Sequence, residues 1–231
     1  MKLSEEMKNK TLLSFELFPP KTEKGLQNLP GTIDHLMKYN PSYISCTYGA
    51  GGGNVGANRE VCQMIKNAGT TPVTHFTVIK NTKEGIKEQL DQYLADGVDH
   101  MLALRGDIPL GETTTCGDFD YATDLVKFVR DTYGDKFEIA VAGSPEGHIS
   151  CRSLESDIAV LKQKQDNGAD YIMTQLCWDM EQFKYWLDAI RKAGVTMPVD
   201  VGVMPILDQA ATINMALSRN GCVMDLSLIH I

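Results

Sequence analysis

The sequence lacks the features that mark several large classes of protein. Its six cysteines include no C-x-x-C pair, and none stands near a histidine at the spacing of zinc ligands. No apolar run approaches the length of a membrane span, and the opening stretch MKLSEEMKNK contains no apolar core of a secretory signal. We therefore expect a cytoplasmic protein with free thiols, no structural zinc and no other metal site.

The chain also lacks an excess of positive charge. Its 231 residues contain 22 Lys and Arg against 30 Asp and Glu, a formal net charge of −8, and the basic residues form no local cluster. Nucleic acids and membrane surfaces are therefore not expected partners. The shares of hydrophobic (43%) and charged (23%) residues are those of an ordinary globular protein, long enough for one or two domains.

Seven short stretches rich in β-branched and apolar residues predict buried strands. They are Leu12–Phe18, Tyr43–Tyr48, Pro72–Ile79, His100–Leu104, Glu138–Ala142, Tyr171–Leu176 and Val199–Met204. Between them, apolar residues recur at helical spacing in three sets: Ile86, Leu90, Tyr93 and Leu94; Leu154, Ile158 and Leu161; Phe183, Leu187 and Ile190. The sequence therefore predicts strands that alternate with helices.

Glycines punctuate this pattern. One follows each of six predicted helices, at positions Gly69, Gly97, Gly134, Gly168, Gly194 and Gly221. Glycine ends helices well because it adopts the left-handed conformation without a Cβ penalty. Asn81 with Glu84 three residues later predicts a capping box at the start of one helix. The last of the six helices is predicted over Gln209–Arg219.

Alternating strands and helices with near-continuously apolar strands predict the α/β class, a parallel sheet covered by helices. Two architectures fit: an open doubly wound sheet, or a TIM (β/α)₈ barrel that lacks its last βα unit. A complete barrel has eight units in ~250 residues, and this sequence contains seven predicted strands. We expect one barrel domain over residues 1–225. Residues 226–231 (LSLIHI) resemble the translation of a common sequencing-adapter end, so we expect a non-native tail, with an apolar terminal strand as the alternative.

Glu16 is the first candidate for a functional residue. It stands in the apolar string SFELFPP, where a buried charge is costly, and it shares one strand face with Ser14 and Phe18. In a parallel barrel this face points inward, and burial would raise the pKa of Glu16. The alternative is an edge-strand glutamate that faces water. Because chemistry in parallel barrels sits at the carboxyl ends of the strands, a carboxyl at this place is a candidate catalytic group.

Further polar residues follow the other predicted strands. A glycine-rich stretch, Gly49–Gly53, contains a weak match to the dinucleotide fingerprint, but no acid ends the next strand as a Rossmann fold requires. We interpret it as a place of close backbone approach to a ligand. His75, Arg105-Gly106-Asp107, Glu146 with His148, and Thr174-Gln175 stand at other strand ends. Together these residues predict an enzyme or binding barrel for a polar, planar small molecule.

Taken in order, these strand-end motifs resemble the methylenetetrahydrofolate reductase family. The matching strings are SFELFPPK (14–21), SCTYGAGG (45–52), THFT (74–77), ALRGD (103–107), YATDLV (121–126), SPEGH (144–148), LKQKQDNGAD (161–170), TQLCWD (174–179) and GVMP (202–205). The resemblance runs from about residue 12 to residue 221, and the combination is far more specific than any single string. The chain is most similar to the short bacterial form, truncated at its carboxyl end.

The resemblance implies a (β/α)₈ barrel, one unit short, that binds FAD, with FMN the less favoured flavin. In the family, NAD(P)H reduces the flavin and leaves. Then 5,10-methylenetetrahydrofolate takes its place and is reduced to 5-methyltetrahydrofolate, a step of one-carbon metabolism that serves methionine biosynthesis. Full-length members are expected to form homo-oligomers. Two alternatives stay open: a flavin- or folate-binding barrel fragment without turnover, and a flavin-free, pterin-dependent methyltransferase.

The resemblance also implies roles for individual residues. Glu16 matches the general acid that opens the imidazolidine ring of the folate. Asp107 matches a carboxylate that contacts the pterin and lies near the flavin, and Gln175 matches the amide that positions the pterin. The flavin-contacting positions are Thr47, His75, Leu104, Arg105, Gly106, Asp107, Tyr121, Ala122, Ala142, His148, Asp157 and Lys164.

Overall fold

The computed structural model describes residues 2–20, 22–48, 55–108, 111–148, 151–204, 208, 210 and 212–214. The strands in these residues are β1 (Ser14–Leu17), β2 (Tyr43–Cys46), β3 (Thr71–Thr77), β4 (His100–Leu104), β5 (Glu138–Gly143), β6 (Tyr171–Thr174) and β7 (Val199–Asp200). The helices are α1 (Leu3–Glu6), α2 (Glu23–Met37), α3 (Val55–Asn67), α4 (Lys83–Ala95), α5 (Ala122–Tyr133), α6 (Leu154–Asp166) and α7 (Met180–Lys192). All seven predicted strands are confirmed.

The strands form one parallel sheet in which each strand pairs with its neighbours in the sequence, in the order β1 to β7. A doubly wound sheet would reverse its strand order at a switch point. The unbroken order is instead that of a (β/α)₈ barrel. Among the described residues β1 and β7 are edges with no ladder between them. The fold is therefore the predicted α/β barrel, open by one unit.

The outward faces of the strands and the apolar faces of the helices form the main core. Phe76 on β3 meets Tyr93 on α4 edge to face, with ring centroids 6.3 Å apart. Ile86, Leu90 and Tyr93 are all fully buried, which confirms the apolar face predicted for α4. Because this face of each helix covers the outside of the sheet, polar residues at the strand ends are left to the mouth of the barrel.

A second, smaller core fills the inside of the barrel at its amino-terminal end. Its buried members are Leu3, Tyr43, Val73, Leu102, Ala140 and Tyr171. The inward-facing strand residues thus pack around Leu3, which belongs to α1 and enters the barrel at its amino-terminal end. We call the end closed by α1 the barrel floor.

A buried carboxylate anchors α1 to the barrel floor. The backbone N–H groups of Leu3 and Ser4 donate to Glu138 at 2.7 and 2.8 Å, and His100 Nε2 lies 2.9 Å from Glu138 Oε2. Burial alone would raise the pKa of Glu138, but His100, Ser4 and Leu3 bring it down to about 2. Burial likewise disfavours the charge on His100, but Asp99 and Glu138 raise its pKa to about 9. The floor therefore holds a charged pair.

The helix ends follow the sequence pattern with one correction. Gly69, Gly97, Gly134, Gly168 and Gly194 all have positive φ, as predicted for glycines that end helices. The predicted capping box of Asn81 and Glu84 is wrong. The Thr82 hydroxyl accepts the Gly85 N–H at 3.1 Å and caps α4, because the Asn81 side chain bonds Thr77 and Gln89 instead.

Some predictions fall outside the described residues. These are the glycine-rich stretch 49–53, most of the helix predicted over 209–219, Gly221 and the tail 226–231. The extent of the domain, 1–225, stays a prediction. Five of the six cysteines lie within the described residues, and all five are free thiols.

Candidate active site

Glu16 and His75 face each other inside the barrel. Glu16 Oε2 lies 3.7 Å from His75 Nε2, across the intervening strand β2. The Glu16 side chain is 45% exposed, so it is less buried than the sequence predicted. The reason is that β1 is an edge strand of the described sheet. Desolvation by the surrounding protein still raises the pKa of Glu16, as predicted. The site therefore contains a carboxyl with a raised pKa next to an imidazole.

The imidazole of His75 is buried and neutral. Burial lowers its pKa to about 4, and Nε2 has no hydrogen-bond partner among the described residues. The buried hydroxyl of Thr77, two residues along the same face of β3, also has none. Because buried polar atoms are normally hydrogen-bonded, these two atoms mark a place for polar groups of a ligand or an ordered water.

Charged residues meet beyond the ends of β4 and β5. Asp157 accepts the His148 backbone N–H at 3.2 Å, and Lys164 Nζ donates to the Ala142 carbonyl at 3.0 Å. Burial lowers the pKa of His148, Asp157 opposes that shift, and the charges of Arg105 and Lys164 add to it. We call Arg105 and Lys164, which lie near the His148 imidazole, the cationic cluster. A cavity of about 320 Å³, lined in part by Glu146 and His148, lies beside it.

The cationic cluster has the donor set that a phosphate group needs. Arginine offers a rigid fork of N–H donors, and lysine offers a compact charge with three donors. Burial lowers the pKa of Lys164, while the nearby Asp157 and Cys151 favour its charge. The structure therefore brings together five of the predicted flavin-contacting residues. They are Arg105, Ala142, His148, Asp157 and Lys164.

The loop after β4 carries the other predicted charges. Gly106 has φ +85°, a conformation that favours glycine, and it separates Arg105 from the exposed Asp107. Farther along, this loop is fixed to the loop after β3, because the Thr115 carbonyl accepts the Lys80 N–H at 2.9 Å. The segment around Thr115 is therefore anchored to the loop that follows β3.

Two predicted residues of the β4 loop are not joined to the rest of the site. Within the described residues, neither Asp107 nor Tyr121 makes a hydrogen bond or ion pair to another predicted site residue. Tyr121 is the N-cap residue before α5; its N–H donates to Asp124 at 3.0 Å, and its ring is exposed. Ala122 is buried beside it. Leu104 packs inward against the smaller core.

The ends of β5, β6 and β7 meet with little room between them. The Gln175 N–H donates to the Gly143 carbonyl at 2.8 Å, and the Gly202 N–H donates to Thr174 Oγ1 at 2.9 Å. A Cβ on Gly202 would lie 2.7 Å from the Thr174 carbonyl oxygen. These contacts hold the backbone of Gln175 at the rim of the mouth, next to the predicted site residue Ala142.

Sequence reasoning missed a buried residue that supports the site. Asn58 on α3 donates to the carbonyls of Cys46 and Thr47 at 3.0 and 3.1 Å. Its Oδ1 accepts from the hydroxyls of Thr74 and Tyr93 at 2.8 and 2.7 Å. Asn58 thereby fixes the end of β2, which carries the predicted flavin contact Thr47. Its only sequence signal is an amide placed on the buried face of a helix.

The family model described as methylenetetrahydrofolate reductase matches residues 2–220 of the chain. Methylenetetrahydrofolate reductase (NADH) 1 of Arabidopsis thaliana is 37% identical over 219 residues, which cover 89% of this chain and 37% of the plant protein. The 5,10-methylenetetrahydrofolate reductase of Salmonella typhimurium is 34% identical over 202 residues, covering 87% of this chain and 67% of the bacterial protein. The chain thus spans little more than a third of the plant relative.

Solved structures share the fold at low identity. A Clostridium thermocellum protein, described as binding two copies of 5-methyl-5,6,7,8-tetrahydrofolic acid, matches with a TM-score of 0.58 and 15% identity, covering 87% of this chain and 68% of that protein. A 2,3-dimethylmalate lyase matches with a TM-score of 0.58 and 12% identity, covering 97% and 88%. At such identities the matches support the barrel fold alone.

Proposed function

Because the chain belongs to the methylenetetrahydrofolate reductase family, we propose that it reduces 5,10-methylenetetrahydrofolate to 5-methyltetrahydrofolate with electrons from NAD(P)H, by ping-pong hydride transfer through a bound flavin. One observation carries the proposal. A carboxyl with a raised pKa, Glu16, faces the neutral His75 at 3.7 Å inside the barrel. This is the arrangement expected of a general acid that must keep a proton until the folate binds.

The described residues fit FAD. The unpartnered Nε2 of His75 and the hydroxyl of Thr77 offer polar contacts inside the barrel, and the cationic cluster offers charge for a diphosphate. When bound, FAD would accept a hydride from NAD(P)H and deliver it to the one-carbon unit of the folate. Thr47, Leu104, Gly106, Tyr121, Ala122, Ala142 and Asp157 are the further proposed contacts. The charges of Arg105 and Lys164 both act on His148, and two cationic side chains so placed favour a diphosphate over a single phosphate, hence FAD over FMN.

In the proposed mechanism, Glu16 supplies the proton that opens the imidazolidine ring of the substrate. The ring nitrogen leaves the one-carbon unit as an amine, so it needs a proton as the bond breaks, and the one-carbon unit becomes a cationic iminium. Desolvation raises the pKa of Glu16, which favours the protonated carboxyl that can provide this proton. The neighbouring His75 is uncharged, so it does not draw the proton away from Glu16 by forming an ion pair.

Asp107 and Gln175 are proposed to hold the pterin. A carboxylate at Asp107 stabilises the developing iminium through its charge, without forming a bond to it. The Gln175 backbone is held by Gly143, and its Oε1 accepts the Leu176 N–H at 3.0 Å, so the side-chain amide has a defined orientation at the rim. The exposed position of Asp107 leaves its carboxylate accessible to a ligand entering the mouth.

The absorbance spectrum of the chain, taken after incubation with FAD and desalting, is the first test. A retained flavin spectrum is expected. Anaerobic mixing with NADH or NADPH should then bleach it, and 5,10-methylenetetrahydrofolate should restore it. A colourless chain, and a colourless version completed with an eighth βα unit from a bacterial relative, would contradict the flavin assignment.

A flavin-free enzyme of pterins is the second candidate. The C. thermocellum protein with the same fold is described as binding 5-methyl-5,6,7,8-tetrahydrofolic acid, which favours a folate ligand for this barrel without requiring a flavin. Binding of 5-methyltetrahydrofolate by a colourless chain would support a methyltransferase, whereas flavin retention without restoration by folate would indicate a binding fragment without turnover.

We also propose a cytoplasmic location and, for the full-length protein, a homo-oligomer. Among the described helices, none combines the length and apolar character needed to cross a bilayer. Sedimentation of a completed chain would test the oligomer.

A further inference from the structure

The two edge strands of the open barrel are joined by side chains. Ser14 on β1 donates a hydrogen bond to Asp200 Oδ2 on β7 at 3.2 Å, although 186 residues separate them. The Tyr43 hydroxyl on β2 donates to the same oxygen. The described sheet has no backbone ladder between β1 and β7. We call the contact of Ser14, Tyr43 and Asp200 the edge clasp.

The register places the edge clasp directly below Glu16. Ser14 pairs with Tyr43 in the ladder between β1 and β2, and Glu16 pairs with Ser45 in the same ladder. Because side chains alternate along a strand, Ser14 and Glu16 point to the same inward face. A shift of Ser14 would therefore move the Glu16 carboxyl relative to His75, which lies 3.7 Å away.

The acceptor in the edge clasp is a carboxyl oxygen, and both donors are hydroxyls. No ion pair to Asp200 is found among the described residues, and the hydroxyls of Ser14 and Tyr43 donate to its Oδ2. Burial first, and then the nearby Tyr171 and Asp200, raise the pKa of Tyr43, so its hydroxyl stays protonated and donates. Hydrogen bonds to an ionised acceptor are stronger than neutral ones. Replacing Asp200 by an apolar residue would leave both hydroxyls without this acceptor.

We propose that Asp200 is a positioning residue that ties β7 to β1 and thereby holds the Glu16 carboxyl beside His75. The structural part of this inference stands on the contacts alone, and only its kinetic consequence rests on the proposed function. Asp200 touches neither Glu16 nor His75 in this arrangement and acts through Ser14.

Three variants of the full chain test the clasp. Asp200→Leu removes the acceptor, Asp200→Asn keeps an acceptor oxygen of the same shape, and Asp188→Leu is a control that removes an exposed carboxylate on α7. Hydrogen exchange of the peptide that covers β1 should accelerate about tenfold or more in Asp200→Leu, because the strand opens locally more often. It should return to within about threefold of the parent in Asp200→Asn and stay unchanged in Asp188→Leu.

Kinetics separate positioning from a loss of folding. In the flavin-loaded chain, Asp200→Leu should slow reoxidation by 5,10-methylenetetrahydrofolate about tenfold or more while reduction by NADH changes less than about twofold. Asp200→Asn should restore most of the folate rate. Unchanged exchange in β1, or an equal loss in both half-reactions without rescue by Asp200→Asn, would overturn the proposal.

Two further experiments test the edge clasp if the parent chain is inactive or if Asp200→Leu does not fold. If the parent chain shows neither flavin binding nor folate reduction, the proposed function fails, and carbon-13 titration of the Glu16 carboxyl decides the clasp by itself. Asp200→Leu should then bring the pKa of Glu16 toward its ordinary value, and an unaltered titration would refute the clasp. If Asp200→Leu does not fold, Ser14→Ala breaks the same contact with a smaller change and should also speed exchange in β1.

Discussion

Glu16 and Glu138 are both carboxyls in apolar strands of one sheet, yet their pKa values move in opposite directions. Desolvation raises the pKa of Glu16, whose neighbour within the described residues at 3.7 Å is the neutral His75. Glu138 is more deeply buried, but two backbone N–H groups and His100 bring its pKa down to about 2. The same sequence pattern, a charge inside an apolar strand, thus marks a candidate proton donor at the mouth and an anchor at the floor.

Glu16→Gln should separate the two half-reactions. Glutamine keeps the shape and one acceptor but has no proton to give, so reoxidation of the flavin-loaded chain by 5,10-methylenetetrahydrofolate should fall by roughly 10²-fold or more. Reduction by NADH should stay near the parent rate. Stopped-flow absorbance measures both, with the exposed Glu155→Gln as control. Equal losses in both half-reactions would remove Glu16 from the role of general acid.

Asn58→Ala should cost far more stability than its exposed counterpart, Asn9→Ala. Asn58 satisfies two carbonyls and two hydroxyls in a fully buried place, so its loss should lower the free energy of unfolding by about 3 kcal/mol. Asn9→Ala should change it by less than about 0.5 kcal/mol. Urea unfolding measures both. A small effect at Asn58 would mean that water replaces the amide without penalty.

The elements themselves were predictable because each has a strong local signal. Apolar runs of five to eight residues became strands of two to seven residues, and glycines with positive φ ended the helices where the spacing predicted. The start of α4 was misplaced by one residue, since Asn81 and Thr82 are both good capping residues. The Asn81 side chain is used elsewhere because it bonds the Thr77 carbonyl and Gln89, which lies nearly two turns into the helix.

Three glycine-to-alanine changes should separate backbone strain from steric collision. Gly31→Ala, exposed inside α2, should stabilise by about 0.5–1 kcal/mol, since alanine favours helix. Gly69→Ala, at φ +94° with nothing near the added Cβ, should destabilise by about 1–2 kcal/mol. Gly168→Ala adds a Cβ 2.8 Å from Arg130 Cγ at φ +105° and should cost at least about 1 kcal/mol more than Gly69→Ala.

Thermal and urea unfolding of these three variants would rank them. The expected order of stability is Gly31→Ala, then the parent, then Gly69→Ala, then Gly168→Ala. Equal costs at Gly69 and Gly168 would mean that the Arg130 side chain moves aside freely. That result would be unexpected, because Arg130 also bonds the Gly168 carbonyl and Asp170.

For the whole molecule, strand order was predictable as far as a choice between two architectures. The resemblance favoured the barrel, and the unbroken order β1 to β7 confirms it. The candidate site was predictable where residues stand at strand ends. Asp200, Asn58 and the His100–Glu138 pair were not, because their roles depend on partners 11 to 186 residues away. Such partners meet only after the sheet has curved.

The charged pair at the floor should make stability depend on pH at both ends. The pKa of His100 is about 9, above its ordinary 6.5, so its contribution is complete below about pH 6.5 and is lost as the pH rises through 9. The pKa of Glu138 is about 2, below its ordinary 4.5, so its contribution is complete above about pH 4.5 and is lost as the pH falls toward 2.

Both contributions are therefore complete only between about pH 4.5 and 6.5. Between pH 6.5 and 9 the parent chain should lose on the order of 2 kcal/mol more unfolding free energy than His100→Asn. Urea unfolding across this range measures the difference. Parallel curves for the two proteins would show that His100 is uncharged in the folded chain.

During translation, α1 is made before all of the strands whose floor it closes. Leu3 and Ser4 bind Glu138, which is synthesised 135 and 134 residues later. At roughly 5–20 residues per second, the newly made segment waits on the order of 7–27 s for its acceptor. Throughout that interval Leu3 is an apolar side chain without a pocket, accessible to chaperones and to other nascent chains. Helix α1 is thus translated first and docks late, so slow codons between α1 and β5 would lengthen its exposure.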